Sequence, residues 1–261
     1  MYNLISAELY KIFKSMTIKI SFAITTICAV FMWSIAYNIG RGSFQSSMSG
    51  IGFLFGDMDV MSIMGGVLAG VYICGDFDNN TIHDAIASGC SRGSVVVSKA
   101  AAFFCTAAFL LLPYAVITSI ALGTGSKFSV GSSAIGFLNL LTSDGAAAGI
   151  GKLFLVSLTL SIVYAAQLSL CVFLGFLLKK PVLVVGIYYS FSILCGQLGN
   201  LAKNSELLNN IFSCTPYGGK HSFITLSSGA GDIVKALAVS FIFIILMLLA
   251  THLAFRKSEI K

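Results

Sequence analysis

The sequence predicts an all-α polytopic membrane protein with six transmembrane helices, an N-terminal amphipathic interfacial helix and a short cytoplasmic helix between spans two and three. Three observations predict this. Of 261 residues, 57% are hydrophobic and 10% charged, against roughly 25% charge in globular chains, so a water-facing surface cannot be covered. The mean hydropathy is +0.92, and the apolar runs are long enough to cross about 30 Å of hydrocarbon at about 1.5 Å per residue. Finally, Lys and Arg are unevenly placed along the chain. The same composition excludes disordered, collagen-like and secreted disulfide classes. The formal charge of +6 is read by position and implies no nucleic-acid partner.

In chain order, residues 1–15 place Leu4, Ile5, Leu9, Ile12 and Phe13 near one helical face and Glu8, Lys11 and Lys14 on the other. This suits a helix in the inner headgroup layer, the alternative being a plain extension of the first span. The run after it is too long and its leader too patterned for a cleaved signal. Spans are expected at about 16–37, 57–75, 95–122, 152–178, 181–201 and 233–255, all in one transmembrane domain, 1–261. Ten of the 16 Lys and Arg residues then fall in the shorter inner segments, which puts both termini in the cytoplasm.

The outer connections differ. Segment 123–151, rich in Gly and Ser, reads as a flexible loop. Segment 202–232 mixes Leu207, Leu208, Ile211, Phe212, Ile224 and Leu226 with Asn, Pro and Gly, as either a hairpin dipping back into protein or an ordinary surface loop would. Asp57 and Asp59 read as solvated residues at a helix N-terminus, with an ion site as the alternative. Gly66 and Gly70 suit close helix approach, within the chain or between copies. The seven cysteines and three histidines form no C-x-x-C pair or ligand cluster, so neither a disulfide framework nor a metal site is expected.

The most distinctive segment is VYICGDFDNNTIHDAIASGCSRGSVVVSK, between spans two and three. Asp78, Asn79 or Asn80 can cap a short helix over about 78–90; Ile82 and Ile86 lie four apart with Ala85 beside them, and Gly89 can end it left-handed. Ser91 can cap the following helix, with Arg92 and Lys99 at phosphate level. The expectation is a helix parallel to the membrane with an exposed isoleucine face.

Asp76, Phe77, Asn80, Thr81, Ile82, Ser91, Arg92 and Lys99 together resemble the first cytoplasmic loop of ABC-2-type transporter permeases. That family carries a pattern close to E/D-x-x-x-G-T-I/L followed by S-R-x-x-x-x-x-x-K; here Asn80 stands in place of the Gly, and both tolerate unusual backbone angles. In size and composition the chain is most similar to lantibiotic-immunity and bacitracin-resistance permeases of Gram-positive bacteria. The resemblance implies a coupling helix that docks on a separate dimeric ABC ATPase through Asp76, Phe77, Asp78, Asn80, Thr81, Ile82, Ala85, Ile86, Ser91, Arg92 and Lys99. It also implies a second permease copy or paralogue, a bacterial plasma membrane, and export of a substrate such as an antimicrobial peptide.

No G-x-x-x-x-G-K-[ST] motif occurs; the nearest string, Gly218-Gly219-Lys220-His221, has Cys214 where the first Gly belongs. The chain is therefore expected to be non-catalytic and to bind no cofactor, with ATP and Mg held by the partner. Phe103, Phe104, Phe109, Phe154, Gln167, Phe173 and Phe176 are candidate lining for a soft substrate pathway suited to an amphiphile. The alternative function is a secondary carrier or channel with no ATPase; against it stands the scarcity of mid-membrane ionisable groups.

Overall fold

The computed structural model describes residues 2–43, 55–124, 128, 136–142, 150–202, 206–218, 221 and 224–257. Among them regular structure is helical: α1 (Tyr2–Lys14), α2 (Met16–Gly40), α3 (Asp57–Asp78), α4 (Thr81–Ala87), α5 (Arg92–Gly123), α6 (Gly136–Thr142), α7 (Ile150–Leu178), α8 (Pro181–Ala202), α9 (Glu206–Ser213) and α10 (Ala230–Lys257). The six helices α2, α3, α5, α7, α8 and α10 are each long and apolar enough to cross a membrane, which makes this a multi-pass membrane protein. They match the six expected spans with ends displaced by a few residues.

Burial divides the spans into a centre and a rim. The most apolar windows of α3, α5 and α7 are 72%, 61% and 61% buried, against 28%, 22% and 17% for α2, α8 and α10. Each rim helix leans on one central helix, α2 on α5, α8 on α3 and α10 on α7. The rim faces left open are apolar (Ile20, Ile27 and Phe31 on α2; Ile242, Ile245 and Leu249 on α10), as lipid contact requires.

Glycine also sets how closely the rim helix α8 approaches α3. A Cβ on Gly66 would stand 3.0 Å from the Val185 Cα, and one on Gly70 3.1 Å from the Pro181 Cβ, so this glycine pair seats α3 on α8 within the chain. Just beyond, Gly70–Cys74 forms a π-turn inside α3. One extra residue in a turn rotates everything after it by about 100°, which brings Asp76 and Phe77 round to face the protein.

Two of the segments expected to lie outside are inserted rather than loose. The flexible-loop expectation for 123–151 is corrected over Gly136–Thr142, where α6 packs on α3, α5 and α7 with Phe137, Leu138, Leu140 and Leu141 buried; remaining parts of that segment, 125–127, 129–135 and 143–149, lie outside the described residues. In the last outer connection, Pro216, Tyr217 and Gly218 are buried. Gln167 Nε2 donates to the Pro216 carbonyl at 2.9 Å, and the Tyr217 hydroxyl to the Gln167 carbonyl at 2.8 Å. The Tyr217 ring meets Phe191 and Phe243 at 5.3 and 6.1 Å. Phe243 is the fourteenth of the 28 residues of α10, so this turn reaches the middle of the helix bundle. Of the two sequence readings, the dipping hairpin is the one observed.

Candidate functional site

A buried ion network lies at the ends of α3 and α5 that flank α4, where α1 meets them. Asp76 and Lys99 are only 3% and 5% exposed. Lys99 Nζ donates to one Asp76 oxygen and, at 2.8 Å, to Glu8 Oε1; Lys11 Nζ donates to the other Asp76 oxygen. Two carboxylates and two ammonium groups balance, so no net charge is taken out of water. A cavity of about 240 Å³ runs alongside, lined by Leu4, Glu8, Lys11, Ile82, Val95 and Lys99 among others. Its floor is apolar and one wall is the ion network.

The short helix α4 is hung from this network. Asn80 enters it at φ 56°, a left-handed conformation open to Asn, and the Thr81 hydroxyl donates to the Asp76 carbonyl at 3.2 Å. At the other end Gly89 has φ 94°; its N–H donates to the Ile86 carbonyl, and the Cys90 N–H to the Ala85 carbonyl. Paired bonds of this kind around a left-handed glycine close a helix end. Ser91 then caps α5, its hydroxyl accepting from the Ser94 N–H at 3.2 Å.

Several sequence expectations need correction here. The helix is shorter than 78–90, because Asp78 ends α3 and α4 covers Thr81–Ala87. Its isoleucine face points inward: Ile82 is 1% exposed, and Ile86 and Ala85 are half-buried against the core. The cause is the neighbouring apolar surface of α1 and α5, which buries the aliphatic side. The exposed side carries Asp78, Asn79, Asn80, Thr81 and Asp84. Lys99 does not reach toward headgroups, being held in the ion network.

Arg92 likewise turns toward protein. Its Nη1 donates to the carbonyls of Phe255 and Arg256 at 3.1 and 2.9 Å, at the C-terminal end of α10 where carbonyls lack helical partners. Beneath it Phe77, Phe176 and Phe255 meet edge to face, with centroids 5.2 to 6.0 Å apart. The Lys179 ammonium lies 5.0 Å from the Phe77 ring centre and the Arg92 guanidinium 5.6 Å from that of Phe255. The ends of α3, α5, α7 and α10 beside α4 are thus knitted by aromatic and cationic contacts. Phe176, one of the candidate pathway aromatics, is 2% exposed within this knot.

The other candidate pathway residues do not converge. Phe103 is buried beside half-buried Phe104, while Phe109 stacks on Phe22 and meets Phe13 edge-on. Phe154 is 70% exposed near the outer end of α7; Phe173 is half-buried, and Gln167 is occupied by the Pro216 turn. None of them lines the apolar groove of about 450 Å³ between α7, α8, α9 and α10, whose walls include Leu174, Phe191, Cys195, Phe212, Tyr217 and Met247.

No family model, curated protein or solved structure matches this chain. Function is therefore read from its own residues and their geometry.

The sequence reading left Glu8 and Lys11 on the solvent side of α1 and so missed them as network members. Their three-residue spacing, one acid and one base on the same face, was the available signal. It also left Asp57 solvated, whereas Asp57 is 0% exposed: its Oδ2 accepts from the Tyr164 hydroxyl and, at 2.9 Å, from the Phe137 N–H. The groups that bury it arrive from α6 and α7. Among the described residues no group of three or more His, Cys, Asp or Glu side chains is arranged to hold a metal ion.

Proposed function

We infer that the chain is the membrane permease subunit of an ATP-driven ABC-2-type exporter, powered by a separate ATPase dimer and working with a second permease copy or paralogue. The observation that carries this reading is the Asp76–Lys99 pair. The two charged residues flanking the segment that resembles the family's coupling loop are held together, and α4 between them presents a rigid polar ledge. A partner gripping that ledge would move α1, α3 and α5 as one body, because the ion network joins all three. Transport, export and a role in peptide resistance or immunity belong to the same proposal, as does a bacterial plasma membrane with both termini inside.

The apolar groove supports a hydrophobic or amphipathic substrate, such as a membrane-active peptide. Its walls offer aromatic, aliphatic and sulfur-bearing side chains at mid-bundle depth, a surface that adapts to large apolar ligands. A secondary carrier remains the competing reading, and buried Asp57 is the observation that favours it.

The test is purification of the chain from its native membrane with assay of ATP hydrolysis. A P-loop ATPase should co-purify, and Asp78→Lys with Asp84→Lys on the exposed side of α4 should cut co-purification at least about tenfold, as charge reversal at an interface does. A fully folded wild-type chain that retains transport in the absence of any ATPase would overturn the exporter reading in favour of the carrier.

A further inference from the structure

At the outer end of α3, Asp57 is enclosed by three other elements, α5, α6 and α7. Its Oδ2 holds both donors, the Tyr164 hydroxyl of α7 and the Phe137 N–H of α6, while its Oδ1 is buried with no hydrogen-bond partner among the described residues. No ion pair involves Asp57 among the described residues. Among the described residues the titratable groups around it are Tyr164 from α7, Tyr114 from α5, Asp59 from its own helix and, beyond Tyr114, Cys28 from α2, none of them a cation. Tyr114 is itself engaged, donating to the Phe55 carbonyl at 3.1 Å. From α6 the Phe137 and Leu138 amides face the carboxylate. Gly136, at φ 63°, lies so close that a Cβ there would collide with both Asp57 Oδ2 and the Tyr164 oxygen.

We propose that Asp57 is a proton-binding site whose proton, carried on Oδ1, keeps α6 seated in the outer end of the bundle. The division of labour between the two oxygens is the reason. A proton added to Oδ1 forms an O–H bond there and leaves Oδ2 a carbonyl oxygen that still accepts from Tyr164 and Phe137, so every observed bond survives. Removing it to external water leaves a full negative charge, with Oδ1 unpartnered, in a seam where the described residues place no cation, and an uncompensated buried charge is strongly unfavourable. The seam can relieve this by admitting water, and α6, only seven residues long and bonded to Asp57 through the Phe137 amide, is the element that lifts. The site takes a proton from the outer side. This inference does not depend on the exporter reading, since it concerns a different end of the molecule.

The experiment is infrared difference spectroscopy across a pH titration of the full chain in lipid nanodiscs, with hydrogen exchange of α6 amides alongside. Wild type should display a protonated-carboxyl carbonyl band that disappears as pH rises and is missing in Asp57→Asn. Tyr164→Phe, which removes one donor to Oδ2, should keep the band and move it to higher frequency, a readout that serves even if Asp57→Asn folds poorly. At each pH the exchange of α6 amides in wild type divided by that in Asp57→Asn cancels the intrinsic chemistry; this ratio should climb at least about tenfold as the band is lost. A band that never appears, or never leaves, between about pH 4 and 9 overturns the proposal, as does a flat exchange ratio.

Discussion

Asp76 and Lys99, 23 positions apart in sequence, meet as a buried ion pair where the ends of α3 and α5 that flank α4 converge. Removing one partner of such a pair costs about 3–5 kcal/mol, because the other charge is left buried. Lys11 still reaches Asp76 but is half exposed, so Lys99→Met should fall at the lower end of that range. Lys11→Ala should cost about 1 kcal/mol or less, as exposed partners do. Replacing both buried charges, Asp76→Leu with Lys99→Met, should recover much of the loss. Denaturant midpoints in detergent micelles provide the comparison, and equal losses from Lys11→Ala and Lys99→Met would refute the ranking.

The sequence carried the spans because hydrocarbon length is a one-dimensional property: a run such as 233–255 has no alternative in water. Gly89 and Ser91 were legible for a related reason, since a left-handed turn and a helix cap are chemistry of neighbours along the chain. The direction of Ile82 was not. Periodicity groups Ile82 with Ile86 on one face but cannot say whether that face meets solvent or α1. Asp57 was hidden still deeper, because the residue that closes over it, Tyr164, comes from 107 positions away. The π-turn at Gly70–Cys74 has no sequence signature, yet it decides that Asp76 faces inward.

Glycine substitutions separate packing from propensity. Gly66→Ala gains about 1 kcal/mol of helix propensity but pushes a methyl to 3.0 Å from the backbone of Val185, and such overpacking costs about 1–3 kcal/mol. The net expectation is destabilisation. Gly186→Ala on α8 meets nothing within 4 Å and should stabilise by up to about 1 kcal/mol. Thermal midpoints check both. The oligomeric state of Gly66→Ala by light scattering should match wild type, since the contact lies within one chain; dissociation without loss of stability would place Gly66 between copies instead.

Orientation follows from charge, and a cysteine pair can report it. Cys90 lies between α4 and α5, on the side assigned to the cytoplasm, whereas Arg41 is exposed at the opposite end of α2. In cysteine-free backgrounds, an impermeant thiol reagent applied to intact cells should label Arg41→Cys and spare Cys90, with Cys90 reacting once cells are opened. Cys214 is a poorer reporter than its sequence position suggests, because the adjoining Pro216 turn reaches mid-bundle. Labelling of Cys90 in intact cells would invert the topology.

The Gln167–Pro216 bond should be what holds that turn at depth. Proline has no N–H, so the peptide at Pro216 can satisfy itself only through its carbonyl, and Gln167 Nε2 meets it at 2.9 Å. In a setting without water a carbonyl stripped of its donor costs about 1–3 kcal/mol. Gln167→Leu, close in volume and without the donor, should lose that amount. Tyr217→Phe should lose less, about 0.5–1.5 kcal/mol, because the Gln167 carbonyl it meets already lies within a helix. Cys195 lines the neighbouring groove and is 7% exposed, which makes it a local probe. With Cys195 as the sole cysteine, a membrane-permeant maleimide should react at least about fivefold faster in Gln167→Leu, as a turn destabilised by about 1 kcal/mol or more opens. The exposed Gln197→Leu on α8 should leave both the midpoint and the labelling rate at the wild-type value. If Gln167→Leu matched that control, the hairpin would be held by the Tyr217 hydroxyl bond and the aromatic contacts with Phe191 and Phe243 instead.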